Sequence, residues 1–251
     1  MLQISPASTN PRYTDDGAWN TFRVCGRDDQ QGAIAGAFLA STFKGKKVAI
    51  LHDNSAYGKG LADETKKAMN AAGTTEALYA AYTPGERDYA ALVSRMKQAG
   101  IEVVYVGGYH TETGLIARQA KEQGMNVTVV GGDALVTNEY WQIAGPAGEG
   151  TLMTFSSDPR KRPTAAEAVK EFQAKGFDPE GYTLYTYAAL QIWAEAAKKA
   201  NSTDPKKVAD TLKDGTSWPS VLGGTAFDKK GDVTKPDYVF YIWKNGTYAE
   251  M

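Results

Sequence analysis

The 251-residue sequence holds one cysteine, Cys25. A lone thiol cannot close an internal disulfide, and it removes cysteine-rich metal sites from consideration. Histidine is nearly as scarce, with only His52 and His110. Neither belongs to an H-E-x-x-H frame, so metal-dependent hydrolysis has no visible ligand set. A surplus of one charge is also lacking, because 28 basic side chains face 29 acidic ones. Without a long basic run, neither nucleic acid nor an anionic membrane is an indicated partner, and a small ligand or a protein is expected instead. No apolar run approaches the roughly 20 residues that cross a bilayer. The opening Met1-Leu2-Gln3-Ile4-Ser5-Pro6 lacks the basic start, apolar stretch and cleavage site of a secretory leader. The expectation for the chain as given is therefore no export address, and a cytoplasmic location if Met1 is the natural start.

Catalytic frames are missing too. Gly58-Lys59-Gly60 lacks the longer G-x-x-x-x-G-K-[ST] phosphate loop, and Gly107-Gly108 lacks G-x-G-x-x-G. No G-x-S-x-G elbow or C-x-x-C pair occurs, so His52 beside Asp53 and His110 beside Tyr109 read as loop residues rather than members of a triad. The expectation is a protein that is not an enzyme and needs no cofactor or metal. The 14 tyrosines and 5 tryptophans, without interleaved basic residues, suit a ligand crevice or a core.

What is present is an alternation of short β-branched runs with amphipathic helices between Lys46 and Ser156. Val48-Ala49-Ile50-Leu51 reads as a buried strand, and Leu61 to Ala72 as a helix stopped by Gly73. Tyr89, Leu92, Val93 and Met96 line one helical face before Gly100 and the strand Ile101 to Val106. Leu115, Ile116 and Ala120 mark a further helix, followed by the strands Val127–Val130 and Thr151–Phe155. Strands joined by crossover helices imply an α/β, doubly wound parallel sheet. Beyond Pro163, Thr164 to Glu167 reads as a capping box opening a helix. Tyr185 to Lys199 and Lys206 to Lys213 read as two more helices, the first with Ala189, Ile192, Trp193 and Ala196 as its apolar stripe. Only Leu2-Gln3-Ile4 and Gly224-Thr225-Ala226-Phe227 look like strands for these helices to cover, which points to an incomplete sheet. The tail from Tyr238 to Trp243 reads as a strand followed by a turn.

In a doubly wound sheet, ligands gather outside the carboxyl ends of the strands. Those ends carry His52 to Gly58 with Tyr57, Gly107 to Glu112 with Tyr109, and Gly131-Gly132-Asp133-Ala134. Glycine admits a ligand to the backbone, tyrosine offers a flat wall with a hydroxyl, and Asp133 offers a full charge to an ammonium group. Ser5-Pro6-Ala7-Ser8-Thr9-Asn10-Pro11 has the hydroxyls and free amides of a turn that can hold a carboxylate.

Ile4-Ser5-Pro6-Ala7-Ser8-Thr9-Asn10-Pro11, Ala49-Ile50-Leu51-His52-Asp53 with Tyr57-Gly58 and Gly60-Leu61-Ala62, Asp88-Tyr89-Ala90-Ala91-Leu92, Tyr105 to Tyr109, Tyr187-Ala188-Ala189, and Phe227-Asp228 before Lys230-Gly231-Asp232 together resemble the leucine/isoleucine/valine-binding proteins of bacterial ABC importers. The resemblance runs from end to end. It implies a type I periplasmic binding protein fold of two doubly wound parallel-sheet lobes, the first incomplete, that close on an amino acid and deliver it to an ABC permease in the periplasm. Residues 1–28 and 156–235 would form a remnant of the N-terminal lobe, and 29–155 with 236–251 an essentially complete C-terminal lobe. The same resemblance implies that Ala7 and Thr9, with Ser8, hold the ligand carboxylate, while Tyr57, Tyr109 and Asp133 act from the other lobe. Asp133 stands where many relatives place Glu, and its shorter side chain leaves room for water or a differently placed amine. Relatives precede the Ile4-Ser5-Pro6 segment with several βα units, so an impaired ligand trap, or a homo-oligomer completing the first lobe, is expected. The alternative is a non-binding remnant or an oligomerising interaction protein.

Overall fold

Along β3 (Val48–His52), Val48 and Ile50 enter one apolar cluster and Ala49 and Leu51 another, so both faces of this strand are covered. That is the burial a parallel sheet requires, and it explains the unbroken apolar run in the sequence. The computed structural model describes residues 1–251. Its first elements are β1 (Gln3–Ser5), α1 (Arg12–Asp15), β2 (Thr21–Arg23) and α2 (Asp28–Thr42), ahead of β3. Next come α3 (Ala56–Ala71), β4 (Leu78–Ala81), α4 (Ala90–Ala99), β5 (Val103–Gly107), α5 (His110–Glu122), β6 (Thr128–Gly131), α6 (Asn138–Ala144) and β7 (Leu152–Phe155). The rest comprises α7 (Ala166–Ala174), α8 (Thr183–Ala200), α9 (Pro205–Leu212), β8 (Trp218–Ser220), β9 (Gly223–Thr225), β10 (Val239–Lys244) and β11 (Thr247–Glu250).

The chain divides into two units, Met1–Arg27 with Ser156–Asp237, and Asp28–Phe155 with Tyr238–Met251. The second unit holds a seven-stranded sheet in the order β11-β10-β7-β6-β5-β3-β4. Its strands β4, β3, β5, β6 and β7 are parallel, and β10 joins β7 antiparallel with Phe240 opposite Thr154. The sheet is thus mixed rather than wholly parallel: β10 runs against β7, and β11 returns from it through the Asn245-Gly246 hairpin. Helix α2, unread in the sequence, lies against α3. Its contact residues are small: a Cβ on Gly36 would lie 2.4 Å from the Thr65 carbonyl oxygen, and one on Gly32 2.7 Å from Glu64 Cβ. Close approach of two helix backbones demands glycine at both positions.

The first unit has far less sheet. β1 and β2 form a two-stranded parallel pair with Ile4 opposite Phe22, and β8 and β9 form a separate antiparallel hairpin. Helix α8 buries Leu184, Ala188, Ala189, Ile192 and Ala196. Trp193 leaves the expected stripe and is 40% exposed, with Leu190 at 67%. The expected capping box also fails: Ala165 is the N-cap of α7, without a side-chain hydrogen bond, and the Thr164 hydroxyl donates to the Val221 carbonyl at 2.8 Å. A tertiary acceptor wins over the local cap because Pro163–Ala165 first makes a 3-10 turn. In the same unit Arg23, fully buried, pairs with Asp232 at 2.7 Å, and Asp232 also takes Arg27 at 2.8 Å and the Thr14 hydroxyl at 2.8 Å. Cys25 is a buried free thiol.

Candidate functional site

The second unit's site is built at the carboxyl ends of β3, β5 and β6. After His52 the chain turns through Asn54, at φ 61°, and Ser55 caps α3 by accepting the Gly58 amide at 2.8 Å. Asp53 ties this turn down: its amide donates to the Gly107 carbonyl at the end of β5, and its Oδ1 accepts the Ser55 amide at 2.9 Å. Tyr57 therefore stands in the first turn of α3 rather than in a loop. Two glycines permit the approach. A Cβ on Gly58 would sit 2.5 Å from the Gly107 carbonyl oxygen, and one on Gly107 2.1 Å from that of Gly58.

Three of the expected residues converge. The Tyr57 hydroxyl donates to Asp133 Oδ1 at 2.9 Å, and the Tyr57 and Tyr109 rings lie with centroids 5.3 Å apart at 45°. Tyr109 is the N-cap residue of α5 and is 48% exposed, whereas Asp133, opening the 3-10 turn after β6, is 5% exposed. Gly132 is required beside them, since a Cβ there would lie 2.9 Å from the Tyr57 hydroxyl and 2.6 Å from Leu61 Cδ2. Burial, then the Asp133 carboxylate and Asp28, push the Tyr57 phenol well above its ordinary range. Burial, then Asp53, Asp133 and Asp28, raise Tyr109. At neutral pH both phenols are therefore neutral hydrogen-bonding groups set among carboxylates, an arrangement that suits a cationic ligand group.

Sequence reasoning missed the layer behind this face. Asp28 and Gln31, on the first turn of α2, are fully buried. Gln31 Nε2 donates to the Thr154 carbonyl at 3.1 Å and to its hydroxyl at 2.9 Å, while Gln31 Oε1 has no hydrogen-bond partner. The polar run Asp28-Asp29-Gln30-Gln31 offers no signal that two of its members point inward.

In the first unit the expected turn is present, with its donors committed differently. The amides of Ala7 and Ser8 are not free: both donate to Ser5 Oγ, at 3.3 and 2.9 Å, because the serine hydroxyl closes the turn locally. Ser5 Oγ in turn donates to Ser8 Oγ at 2.7 Å. Arg23 Nη1 reaches the Ser8 and Asn10 carbonyls at 2.6 and 3.0 Å, fixing the turn over the buried ion pair. Ala7 and Ser8 are exposed, while Thr9 is 2% exposed and its hydroxyl has no partner within the chain. Of the three, Thr9 keeps an uncommitted polar atom.

Comparison with known proteins gives a consistent picture. Residues 2–247 match the family described as periplasmic binding protein. The chain is 53% identical over 246 residues to the Leu/Ile/Val-binding protein homolog 1 of Brucella suis, covering 98% of this chain and 66% of that one. It is 45% identical over 256 residues to an amino acid binding protein of Pseudomonas aeruginosa, covering 100% of this chain and 68% of that one. The crystal structure of a leucine binding protein from Thermotoga maritima superposes with a TM-score of 0.91 at 28% identity, over 100% of this chain and 72% of that one. The fold is thus the type I periplasmic binding protein fold, and the chain spans about two thirds of the length of these curated relatives.

Proposed function

The chain belongs to the periplasmic binding protein family, and from that premise we propose that it binds an amino acid with a small aliphatic side chain, branched-chain ones included, as the solute-binding partner of an ABC permease in the periplasm. The observation that carries this reading is the Tyr57–Asp133 hydrogen bond beside the Tyr109 ring. It sets a nearly buried carboxylate, held by a phenol, at the strand ends where ligands of doubly wound sheets collect. Asp133 takes the α-ammonium, Tyr57 orients it, and Tyr109 supplies an exposed wall. In the first unit the Ser5–Pro11 turn, through Ala7, Ser8 and Thr9, takes the carboxylate, with Thr9 as the principal donor because Ser5 occupies the other two amides. The names of the Brucella and Pseudomonas relatives support the ligand class. Calorimetric titration with leucine, isoleucine, valine, alanine, threonine and 4-aminobutyrate tests the proposal. Saturable heat with at least one α-amino acid is expected, and no heat and no thermal shift with any of the six would overturn it.

One observation favours a second reading, an oligomerising interaction protein. Trp19, Phe177, Tyr187, Leu190 and Trp193, all large and exposed, lie in the first unit, and bare apolar faces associate. A concentration-dependent sedimentation coefficient, abolished by Leu190→Lys with Trp193→Lys, is the expected sign of it. A clean monomer at micromolar concentration with a cooperative melt would count against it.

A further inference from the structure

A cavity of about 430 Å³ lies wholly within the first unit, and none of Ala7, Ser8 or Thr9 lines it. Its size falls within the range of small-molecule sites. Val24, Leu222, Ala226 and Val233 give it an aliphatic wall. Its one aromatic lining residue, Tyr185, is 3% exposed and has its hydroxyl tied to Ser156, so it offers no open face for stacking a planar ring.

The charges lining the cavity do not cancel. Arg162 and Lys235 bring two positive groups and Asp237 one negative. Arg162 is committed, with Nη1 donating to the Leu222 carbonyl and Nη2 at 3.6 Å from Asp237 Oδ2. That carboxylate oxygen also accepts the Ser157 amide at 3.3 Å. Lys235 pairs with no carboxylate. A half-open, mixed-polarity cavity with one aliphatic wall, one ammonium without a carboxylate partner and hydroxyls from Ser217, Thr225 and Thr234 complements a small anion with an apolar body.

The cavity also sits at a particular place along the chain. The polypeptide passes between the units after Arg27, before Ser156 and after Asp237. Gly26, Ser156 and Asp237, each at or beside one of those three links, all line the cavity.

We propose that this cavity is a second ligand site, separate from Tyr57, Tyr109 and Asp133, which takes a small aliphatic monocarboxylate with its carboxylate on Lys235. The proposal does not depend on the amino-acid reading, because the two residue sets do not overlap. The probe is 4-methylpentanoate, titrated into the full chain while backbone amide shifts are followed by NMR, with 4-methylpentanamide as the uncharged control. Saturable shifts at Gly26, Gly224 and Ala226 are expected, with the amide binding at least about tenfold more weakly. Because Lys235 is exposed, Lys235→Ala should weaken the carboxylate by about three- to tenfold with an unchanged melting midpoint, in keeping with the modest strength of solvent-facing charge pairs. No saturable shift, shifts confined to the surroundings of Thr9 or Tyr57, or equal binding of acid and amide would each overturn the proposal.

Discussion

The Tyr57 hydroxyl donates to Asp133 Oδ1 at 2.9 Å, joining the first turn of α3 to the turn that follows β6. The bond uses the phenol as the donor and the carboxylate as the acceptor. The two can therefore be separated by mutation. Asp133→Asn keeps an acceptor for Tyr57 and removes the charge, so the melt should stay within about 1 kcal/mol of wild type. Amino-acid affinity should fall about tenfold or more by calorimetry, the scale of losing a charge-assisted hydrogen bond. Unchanged affinity would show that Asp133 does not meet the ammonium. Tyr57→Phe, which takes the donor from a nearly buried carboxylate, should cost about 1–3 kcal/mol in urea unfolding.

The α2–α3 contact makes Gly36 intolerant of a side chain. A Cβ there meets the Thr65 carbonyl oxygen at 2.4 Å, Ala68 Cβ at 2.6 Å and the Met69 nitrogen at 2.6 Å. Two of these are backbone atoms that cannot swing away. Gly36→Ala should destabilise by about 1–3 kcal/mol despite the helix propensity gained. A neutral or stabilising result in denaturant unfolding would mean that the helices part without cost.

The buried pair of Arg23 and Asp232 makes an opposite kind of test, one of charge. Arg23 is fully buried, and Asp232 holds Arg23, Arg27 and Thr14 together. Asp232→Ala leaves the Arg23 guanidinium buried without its counter-ion, which should cost about 3–5 kcal/mol. Since Arg23 also fixes the Ser8 and Asn10 carbonyls, the amides of Ser5 to Pro11 should lose hydrogen-exchange protection along with stability.

Alkaline pH should unfold the protein. Tyr89 donates to the Thr83 carbonyl at 2.8 Å, and burial, then Glu112, push its phenol from 10.0 up to about 12. Burial raises Tyr57, Tyr82, Tyr105 and Tyr140 in the same direction. A phenol whose folded pKa lies above its unfolded value keeps its proton more firmly in the fold. Its contribution is complete below about pH 10 and disappears as pH rises through the folded value. Melting midpoints should hold up to about pH 9.5 and then fall, with phenolate absorbance rising together with loss of helical circular dichroism. Phenolate absorbance that grows well before the fold is lost would show these hydroxyls to be open to solvent.

Much of the second unit was legible because its signals are local. Alternating β-branched runs and helices stopped by glycine, such as the one ending at Gly100 with φ 69°, announce themselves over a few residues. Three strand-end motifs then point to one edge, and Tyr57, Tyr109 and Asp133 do meet there. Helix α2 escaped notice because its buried residues are mostly Gly and Ala, which carry little hydrophobic periodicity. Strand β4 was missed as a half-covered edge, and β2 because three residues are too few to show a pattern.

The sequence by itself determined the α/β alternation, which rests on residue types repeating at a fixed period, and it carried the resemblance to the family in short motifs, several of them at strand ends, standing in order along the chain. Only the tertiary structure decided which polar atoms are free. Ser5 occupies the amides of Ala7 and Ser8 while Thr9 keeps an unpaired hydroxyl, Thr164 bonds Val221 instead of capping its helix, and Lys235 stands without a carboxylate beside a cavity. The physical reason is the short range of hydrogen bonds and ion pairs. Which partners come within reach depends on where distant segments pack, and periodicity along a chain does not encode that.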